Sequence, residues 1–559
     1  MTNRSLAQYF SQTASLRVKP RDKMNALLEC QNTKEAVCAL SPIEFYDLYH
    51  GVGANDALEL LNYCSAEQIQ TCFDLDIWRD DHIDDGVLTN WVENLLTIEE
   101  DEQFKEIWDH VDPEVMALYL HRNVHIYMAE NKDDDVEIPE DESPNVAQTP
   151  DFTFWIAYPE DNARAEVLHR LVDRIYSVLG VDKAWSYMEA MHWELEAELE
   201  ETGYHFRTER IREYGFMPRE EAFAIFAPCR IEAEAEAMRS QSQADLYVRA
   251  FDMPSRLENA MEEFRDARLE DAYFTHILSL LGNPETIKIE LLSLTQRVAT
   301  ADGFQPHEDQ GLRESLQLAL AYVNLGLEYV SKRDDDVAVR ILKCQPLSRL
   351  FMIAHNVTLE LRRKAKILTV RGHLSIIDDM PLSLLTNAQR DCVEGLLESR
   401  PRPALSAMTP FTSMQDVAHA AQTIADVALR EVFFGEAAHK TKDDIAMFAY
   451  THEIYGGVEG VNFDNVAATW LLNKRMKQEE PWRPVKLCEI PSREAVLQAV
   501  SPESVLSLYK SSLDETTAAS QARFAHQLTA NILNGWPEQE ARPDPRLMTA
   551  LVIENEEDA

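Results

Sequence analysis

Two helix-start signals, Ser41-Pro-Ile-Glu44 and Ser65-Ala-Glu-Gln68, lie twenty-four residues apart near the start of the chain. In each, a serine at the N-cap and a Glu or Gln three positions later form the pattern of a capping box. The helices that follow are only about ten residues long, which is too short for a helix to be stable alone. They must therefore stack against one another, as helical hairpins do in a solenoid.

Apolar residues recur at helical spacing through this stretch, which also contains a second helix with Asn55 as its expected cap. They are Ile43, Tyr46 and Tyr49, then Leu58, Leu61 and Cys64, then Ile69, Cys72 and Phe73. We expect Tyr46, Leu61 and Phe73 to hold the stack together. Similar start signals occur at Asp112-Pro113 and Ser501-Pro502, so helices are expected along the whole chain.

Two short runs, residues 124–128 and 152–158, are rich in β-forming residues and predict a small hairpin. The acidic stretch 132–144 between them is typical of a loop or linker. From Asn162 an amphipathic helix is expected to run to Gly180. Asp182 is then expected to cap a helix that ends at Gly203, with Trp185 and Leu195 on its apolar face and glutamates on its outer face.

The sequence thus predicts a mainly all-α protein of stacked short helical hairpins followed by helical bundles, with a small β-hairpin near residues 124–158. Five segments are expected. Residues 1–122 form the hairpin stack, 123–160 the β-rich segment and 161–283 a region of long helices. Residues 284–399 and 400–559 form two further helical domains, and the Pro-rich stretch 400–404 marks the boundary between them.

The charge balance limits the kinds of partner. The 559-residue chain has 97 acidic and 53 basic residues, a formal net charge of −44. Nucleic acids and anionic membranes would be repelled by this charge. A basic partner protein or a cation is favoured instead. With no apolar stretch of membrane-spanning length and no signal peptide, we expect a cytoplasmic protein without direct membrane insertion.

The eight cysteines contain no Cys-x-x-Cys motif, which argues against a zinc ribbon or a thioredoxin-like site. Two pairs, Cys30/Cys38 and Cys64/Cys72, share a spacing of eight residues that places both members near one helix face. We expect them to pack in the core as small apolar side chains. Such sparse usage is typical of a reducing compartment.

Three places carry residues that could bind a metal. Glu189 with His192 and Glu436 with His439 both have the Glu-x-x-His spacing found in di-iron helical bundles. Such spacing also arises by chance, and the two pairs lie in different predicted domains, so chance occurrence is the favoured interpretation. His82, among four aspartates, could join a divalent-cation site, but a helix N-terminus is the favoured interpretation there.

No catalytic motif is present. The chain lacks a G-x-S-x-G elbow, a P-loop, a dinucleotide-binding G-x-G-x-x-G and H-E-x-x-H. No catalytic residue and no cofactor is therefore predicted, with a divalent cation such as Mg²⁺ as the alternative. Scattered residues can still assemble an active site, so the question of enzymatic activity stays open.

Three stretches, residues 65–78, 203–228 and 292–328, carry the phrases "AEQIQTCFDLDIW", "GYHFRTERIREYGF" and "ATADGFQPHEDQG". In these the chain resembles an uncharacterised bacterial family of unknown function, a likeness that implies no activity. The short hairpins of residues 40–120 also resemble the N-terminal helical domain of MgtE magnesium transporters, which implies a superhelical stack able to bind magnesium. The leading hypothesis is a non-enzymatic helical scaffold for protein–protein interaction. The alternatives are a divalent-cation-responsive regulator and a metal-dependent enzyme of unknown reaction.

Overall fold

A computed structural model describes most of the chain. The described residues are 19–128, 138–139, 145–214, 216–241, 246–248, 272–282, 284–306, 308–371, 374–375, 382–434, 454, 457, 460–509, 515–536 and 548–554. Helices dominate these residues, and the strands form only small sheets. The prediction of a mainly all-α protein with a minor β element is confirmed.

The first half of the chain contains short helices and five strands. They are α1 Pro20–Leu28, α2 Thr33–Cys38, α3 Pro42–Val52, α4 Ala66–Asp76, β1 Trp78–Arg79, β2 His82–Ile83, α5 Asp85–Leu95, α6 Asp101–Trp108, α7 Pro113–Asn123, β3 His125–Met128, β4 Val146–Gln148, β5 Phe154–Ala157, α8 Asn162–Arg174, α9 Val181–Trp193, α10 Glu196–Glu213, α11 Arg219–Ala222 and α12 Ile231–Ser240.

The second half is built mainly of longer helices. They and the last two strands are α13 Tyr273–Leu280, α14 Glu285–Asp302, α15 Asp309–Ser331, α16 Asp335–Cys344, α17 Leu347–Arg371, α18 Asn387–Leu397, α19 Met414–Val432, α20 Phe463–Arg475, β6 Val485–Lys486, α21 Arg493–Ala499, α22 Pro502–Leu506, α23 Glu515–Asn534 and β7 Ile553–Glu554.

The chain divides into two units. The first comprises residues 1–227, 246–320 and 346–348, and the second comprises residues 228–245, 321–345 and 349–559. The five segments expected from the sequence are finer than this division and stay a prediction. No helix in the described ranges combines the length and the apolar character needed to cross a bilayer.

The helical stack at the start of the first unit begins as its sequence predicts. Both capping boxes are present, with Ser41 and Glu44 at α3 and Ser65 and Gln68 at α4. The two helices pack against each other. Their expected core residues are buried, as are those that follow at α7: Ile43, Tyr46, Tyr49, Leu61, Ile69, Cys72, Phe73, Met116 and Tyr119.

Two details of the stack differ from expectation. The expected second helix is a single 3₁₀ turn, Leu58–Asn62, and its expected cap Asn55 lies in the preceding turn. Cys64 and Cys72 are buried as predicted, but Cys38 is exposed and donates its thiol to the Tyr63 carbonyl. The core packing predicted for Cys38 is therefore wrong, because Ala36 and Val37 of α2 face the core while Cys38, at the end of the helix, faces solvent.

The predicted hairpin is a three-stranded antiparallel sheet. Strand β5 lies in the centre and pairs with β3 on one side and β4 on the other. Most of the acidic stretch 132–144 lies outside the described residues. Phe154 and Ile156 of β5 are each 1 % exposed, so the central strand anchors the sheet to the core of the first unit.

The long helix expected after Gly180 is two helices. Gly180, with a φ of 87°, precedes α9, and the chain breaks at Glu194, which has an extended backbone. Asp182 lies inside α9 and not at its cap. Trp185 and Leu195, expected on the apolar face, are 37 % and 66 % exposed. The break rotates α10 relative to α9, so one apolar stripe cannot serve both.

The second unit packs its helices very closely at one point. Gly326 on α15 faces the backbone of α17, where a Cβ built on the glycine would lie 2.1 Å from the Leu350 carbonyl oxygen. Nearby, the Tyr322 hydroxyl lies 3.3 Å from the hydroxyl of Thr358. Further along, α19 and α20 both pack on α23, and β6 pairs with β7 in parallel.

Candidate functional site

The turn between β4 and β5 is organised by the carboxylate of Asp151. Its Oδ1 accepts hydrogen bonds from the Thr149 hydroxyl at 2.6 Å and from the Thr153 backbone at 3.4 Å. At the tip, Phe152 has a φ of 62°, in the left-handed region that non-glycine residues rarely adopt. Its side chain is 76 % exposed. The turn thus holds a large aromatic ring in solvent at a cost in backbone strain.

Asp151 also fixes a tryptophan of α9. The indole N–H of Trp185 donates to Oδ2 of Asp151 at 2.6 Å. The Trp185 ring packs edge-on against Phe154, with centroids 5.6 Å apart. Partial burial works to raise the pKa of Asp151, but the hydrogen bonds from Thr149, Trp185 and Thr153 outweigh it and lower that pKa. The carboxylate therefore stays charged and holds the indole in place.

The solvent-facing side of α9 carries apolar residues at helical spacing. Val181, Trp185 and Trp193 span about 18 Å along the helix axis, and Leu195 follows directly after the break. Trp193 is 72 % exposed. We call the set formed by these residues and the turn's Phe152 the aromatic surface: Phe152, Val181, Trp185, Trp193 and Leu195.

The opposite side of α9 is packed into the first unit. Ala184, Met188 and Met191 are buried there, and the helix packs against α7. The His121 ring on α7 is hydrogen-bonded through Nδ1 to the Met191 carbonyl at 2.8 Å. The aromatic surface therefore rests on a well-packed helix, so binding a partner there would require little reordering of the backbone.

The charge around the aromatic surface is negative. Four exposed glutamates lie along α9 and the start of α10: Glu189, Glu194, Glu196 and Glu198. The basic side chains nearby are already paired. Lys183 binds Asp109, and Arg122 contacts Asp85, Glu196 and Glu200. A partner would therefore meet an apolar stripe within an acidic field.

The structure describes only some of the predicted metal candidates. Glu189 is an exposed residue of α9 beside the aromatic surface. His192 lies on the same helix, but the structure does not describe its side chain. Glu436 and His439 lie outside the described residues. Their role as metal ligands stays a prediction.

His82 is an exposed residue of β2. Its Nδ1 lies 3.3 Å from Glu200, and its Nε2 lies 3.5 Å from Asp81. The neighbouring Asp84 is the N-cap of α5 and accepts hydrogen bonds from the Gly86 and Val87 backbone, while the role of His82 itself stays a prediction. Across the residues that the structure describes, no three His, Cys, Asp or Glu side chains are grouped to hold a metal ion.

Sequence reasoning missed a network of buried carboxylates in the segment Asp74-Leu-Asp76. Asp76 is 4 % exposed. It accepts from the Tyr46 hydroxyl at 2.8 Å and from the Trp91 indole at 3.0 Å, and lies 2.8 Å from Nε2 of His50. Both of its oxygens have hydrogen-bond partners, so Asp76, at the end of α4, links that helix to α3 and α5.

Asp74 belongs to a second buried group. Arg210 on α10 donates to both of its oxygens, at 2.7 and 2.8 Å, and also reaches Asp112 at 3.0 Å. The available sequence signal was the presence of two carboxylates, two residues apart, beside apolar Leu75 and Trp78. Partners more than ninety residues away could not be read from this spacing.

The fold and these surfaces define a mainly helical protein with a small antiparallel sheet and an exposed aromatic face. Residues 2–554 match the model of a family of unknown function, DUF6178, and the chain belongs to that family. No curated protein and no solved structure shows significant similarity to it.

Proposed function

We propose that the protein is a non-enzymatic scaffold that binds a partner protein through the aromatic surface. The observation that carries this proposal is the exposure of two tryptophans, Trp185 and Trp193, on one side of α9. Tryptophan is strongly enriched among the residues that dominate binding energy at protein interfaces. A stripe of exposed apolar residues also favours association, which supports a docking role.

The chemistry around the stripe specifies the partner. The exposed glutamates and the net charge of −44 favour a basic segment. The apolar stripe requires apolar side chains on that same segment. We therefore expect a partner with alternating or helically spaced basic and apolar residues, whose encounter with the protein slows as ionic strength rises.

The strained turn supports the same proposal. Phe152 keeps a left-handed backbone that glycine would adopt at lower cost. Strain of this kind persists where the surrounding structure imposes it, and it is found most often at binding and active sites. Presenting the ring to a partner gives this strain a function.

Two alternatives stay open as proposals. The resemblance to the MgtE N-terminal helical domain suggests a divalent-cation-responsive regulator, and the Glu-x-x-His pairs suggest a metal-dependent enzyme. The aromatic surface supports neither. A cytoplasmic location accords with a scaffold role and stays a proposal as well.

Quantitative co-purification tests the scaffold proposal. The full chain, tagged and expressed in the source cells, is compared with a Trp193→Ser/Leu195→Ser variant. Wild type should retain a partner in stoichiometric amount, and the variant should lose most of it. A matched control, Val370→Ser/Met408→Ser, removes two exposed apolar residues elsewhere and should retain the partner fully.

Two results would contradict the proposal. Wild type could retain no protein in stoichiometric amount under low-salt conditions. Alternatively, both double variants could retain the partner as well as wild type does, which would place the interaction on another surface.

A further inference from the structure

Three distant stretches of the first unit meet around a cavity of about 230 Å³. The end of α4 with the β1–β2 hairpin contributes one wall, α10 and the segment after it contribute the second, and the end of α14 contributes the third. The residues that line the cavity include Trp78, Arg79, Arg207, Ile211, Arg219 and Phe304. The cavity lies apart from the aromatic surface, so the inference does not depend on the proposed scaffold function.

The third wall is held by hydrogen bonds of the Gln305 side chain. Gly303 ends α14 in the left-handed conformation, with a φ of 78°. The Gln305 side chain then donates to the Leu75 carbonyl and accepts from Arg79, both at 2.7 Å. These two bonds connect the segment after α14 to α4 and β1.

Two of the three arginines that line the cavity are neutralised. Arg79 lies 3.6 Å from the carboxylate of Asp84. Arg219 binds Asp80 and donates its Nε–H to the Ala301 carbonyl at 3.2 Å. Each of these cations therefore has an acidic partner within the protein.

Arg207 differs from these two arginines. Its Nε donates to the Asp74 carbonyl oxygen at 2.7 Å, while the Asp74 carboxylate is bound by Arg210. No carboxylate of the described residues lies within ion-pair distance of its guanidinium. Burial lowers the pKa of Arg207 because its charge is kept away from water, and this effect outweighs the opposite effect of the nearby charges of Asp74 and Glu220.

The Arg207 guanidinium sits among aromatic rings. Its central carbon lies 5.6 Å from the ring centre of Trp78 and 5.8 Å from that of Tyr204. The surrounding Leu75, Trp78 and Ile211 are almost fully buried and apolar. The cavity therefore offers one unpaired, forked cation beside an apolar wall.

We propose that this cavity binds a small carboxylic acid, with its carboxylate on the Arg207 guanidinium and an apolar body against Trp78 and Ile211. The planar fork of arginine matches a carboxylate, which can accept two parallel hydrogen bonds from it. One unpaired cation matches a monoanion better than a doubly charged phosphate.

The volume limits the ligand's size. Pockets for drug-sized ligands measure about 300–1,000 Å³, and a cavity of about 150 Å³ is filled by one benzene molecule. A space of about 230 Å³ thus fits a single ring or a branched chain that carries one carboxylate.

Calorimetric titration of the full chain with benzoate tests the proposal. Benzoate should bind saturably, and neutral benzamide of the same shape should not. Inorganic phosphate and phenyl phosphate form a separate arm, and both should bind more weakly than benzoate. Arg207→Gln should weaken benzoate binding by about tenfold or more, because it removes a charged hydrogen-bonding group.

The control is Arg212→Gln, which removes an exposed arginine of the same helix outside the cavity and should leave benzoate affinity unchanged. If Arg207→Gln fails to fold, Arg207→Lys keeps the charge without the fork and should still weaken binding. The proposal is overturned if wild type shows no saturable benzoate binding, if a folded Arg207 variant binds as wild type does, or if a phosphate binds more tightly.

Discussion

The Arg210 guanidinium donates two hydrogen bonds to the buried carboxylate of Asp74, at 2.7 and 2.8 Å. The same guanidinium also contacts Asp112, so one arginine of α10 ties together the end of α4 and the start of α7. Burial disfavours the charged form of Arg210, but the bonds to Asp74 and Asp112 outweigh it and raise its pKa. This cluster links the helical stack to α10, as do the contacts of Arg122 with Glu196 and Glu200.

Removing this link should strongly destabilise the first unit. We expect Arg210→Gln to lower the free energy of unfolding by about 3–5 kcal/mol, because it leaves a buried carboxylate unpaired. Urea denaturation followed by far-ultraviolet circular dichroism measures the loss. Arg212→Gln, which breaks only exposed contacts with Glu209 and Glu221, should leave the midpoint unchanged. Equal midpoints for both variants would refute the role given to Arg210.

The close helix crossing in the second unit predicts a steric effect. Gly326→Ala would place a methyl group 2.1 Å from the Leu350 carbonyl oxygen and force α15 and α17 apart. We expect a loss of about 1–3 kcal/mol. Gly86→Ala is the control. Its nearest neighbour would be 3.4 Å away, so it should gain up to about 1 kcal/mol from the better helix propensity of alanine. Thermal denaturation of both variants would give shifts of opposite sign, and shifts of the same sign would contradict this packing.

The buried His355 predicts acid sensitivity in the second unit. Burial lowers its pKa from 6.5 to about 4, and the charge of Arg362 adds to the effect. Below about pH 6.5 the His355 imidazole becomes protonated in the unfolded chain, whereas in the folded chain it stays neutral down to about pH 4. The free energy of unfolding therefore falls as the pH decreases across this range. At pH 5 the loss from this group should be about 2 kcal/mol relative to neutral pH.

The measurement compares urea denaturation at pH 7.5 and pH 5 for wild type, His355→Phe and His419→Gln. The difference between the two pH values should shrink by about 2 kcal/mol in His355→Phe. It should be unchanged in His419→Gln, since His419 is exposed. An unaltered difference in the His355 variant would show that this histidine titrates normally.

The strained backbone of Phe152 predicts that relieving the strain raises the stability of the protein but weakens partner binding. Phe152→Gly should raise the free energy of unfolding by about 1 kcal/mol, because glycine adopts a positive φ without the clash of a Cβ. It should also weaken binding of the partner. Phe152→Ala removes the ring but keeps the strain, so it should weaken binding without the gain in stability. Thermal denaturation and co-purification measure the two effects, and equal stabilities of the glycine and alanine variants would refute the strain.

The sequence predicts the local elements of this protein well, because their signals are local. Ser41 with Glu44 and Ser65 with Gln68 start helices where expected, and the β-rich runs pair as strands. The placement of Leu195 on an apolar helix face failed, because the chain breaks at Glu194 and Leu195 lies between α9 and α10. The placement of Trp185 failed as well, because it lies on the solvent-facing side of α9.

The cavity could not be predicted because it depends on long-range contacts. Its walls come from the three stretches in which the sequence resembles an uncharacterised family, but a single sequence does not show that Trp78, Arg207 and Phe304 meet. The sequence also does not show which acidic residue each arginine of the cavity contacts. Only the structure shows that Arg79 and Arg219 form ion pairs with aspartates, whereas Arg207 forms none with any residue that the structure describes.

Hydroxyl-radical footprinting of the full chain, alone and with its co-purified partner, tests the scaffold account most directly. Oxidation of Trp185 and Trp193 should fall strongly in the complex, because the partner covers both indoles. Oxidation of the exposed Met408, in the second unit, should be unchanged. Unaltered oxidation of both tryptophans in a saturated complex would contradict the claim that the aromatic surface is the docking site.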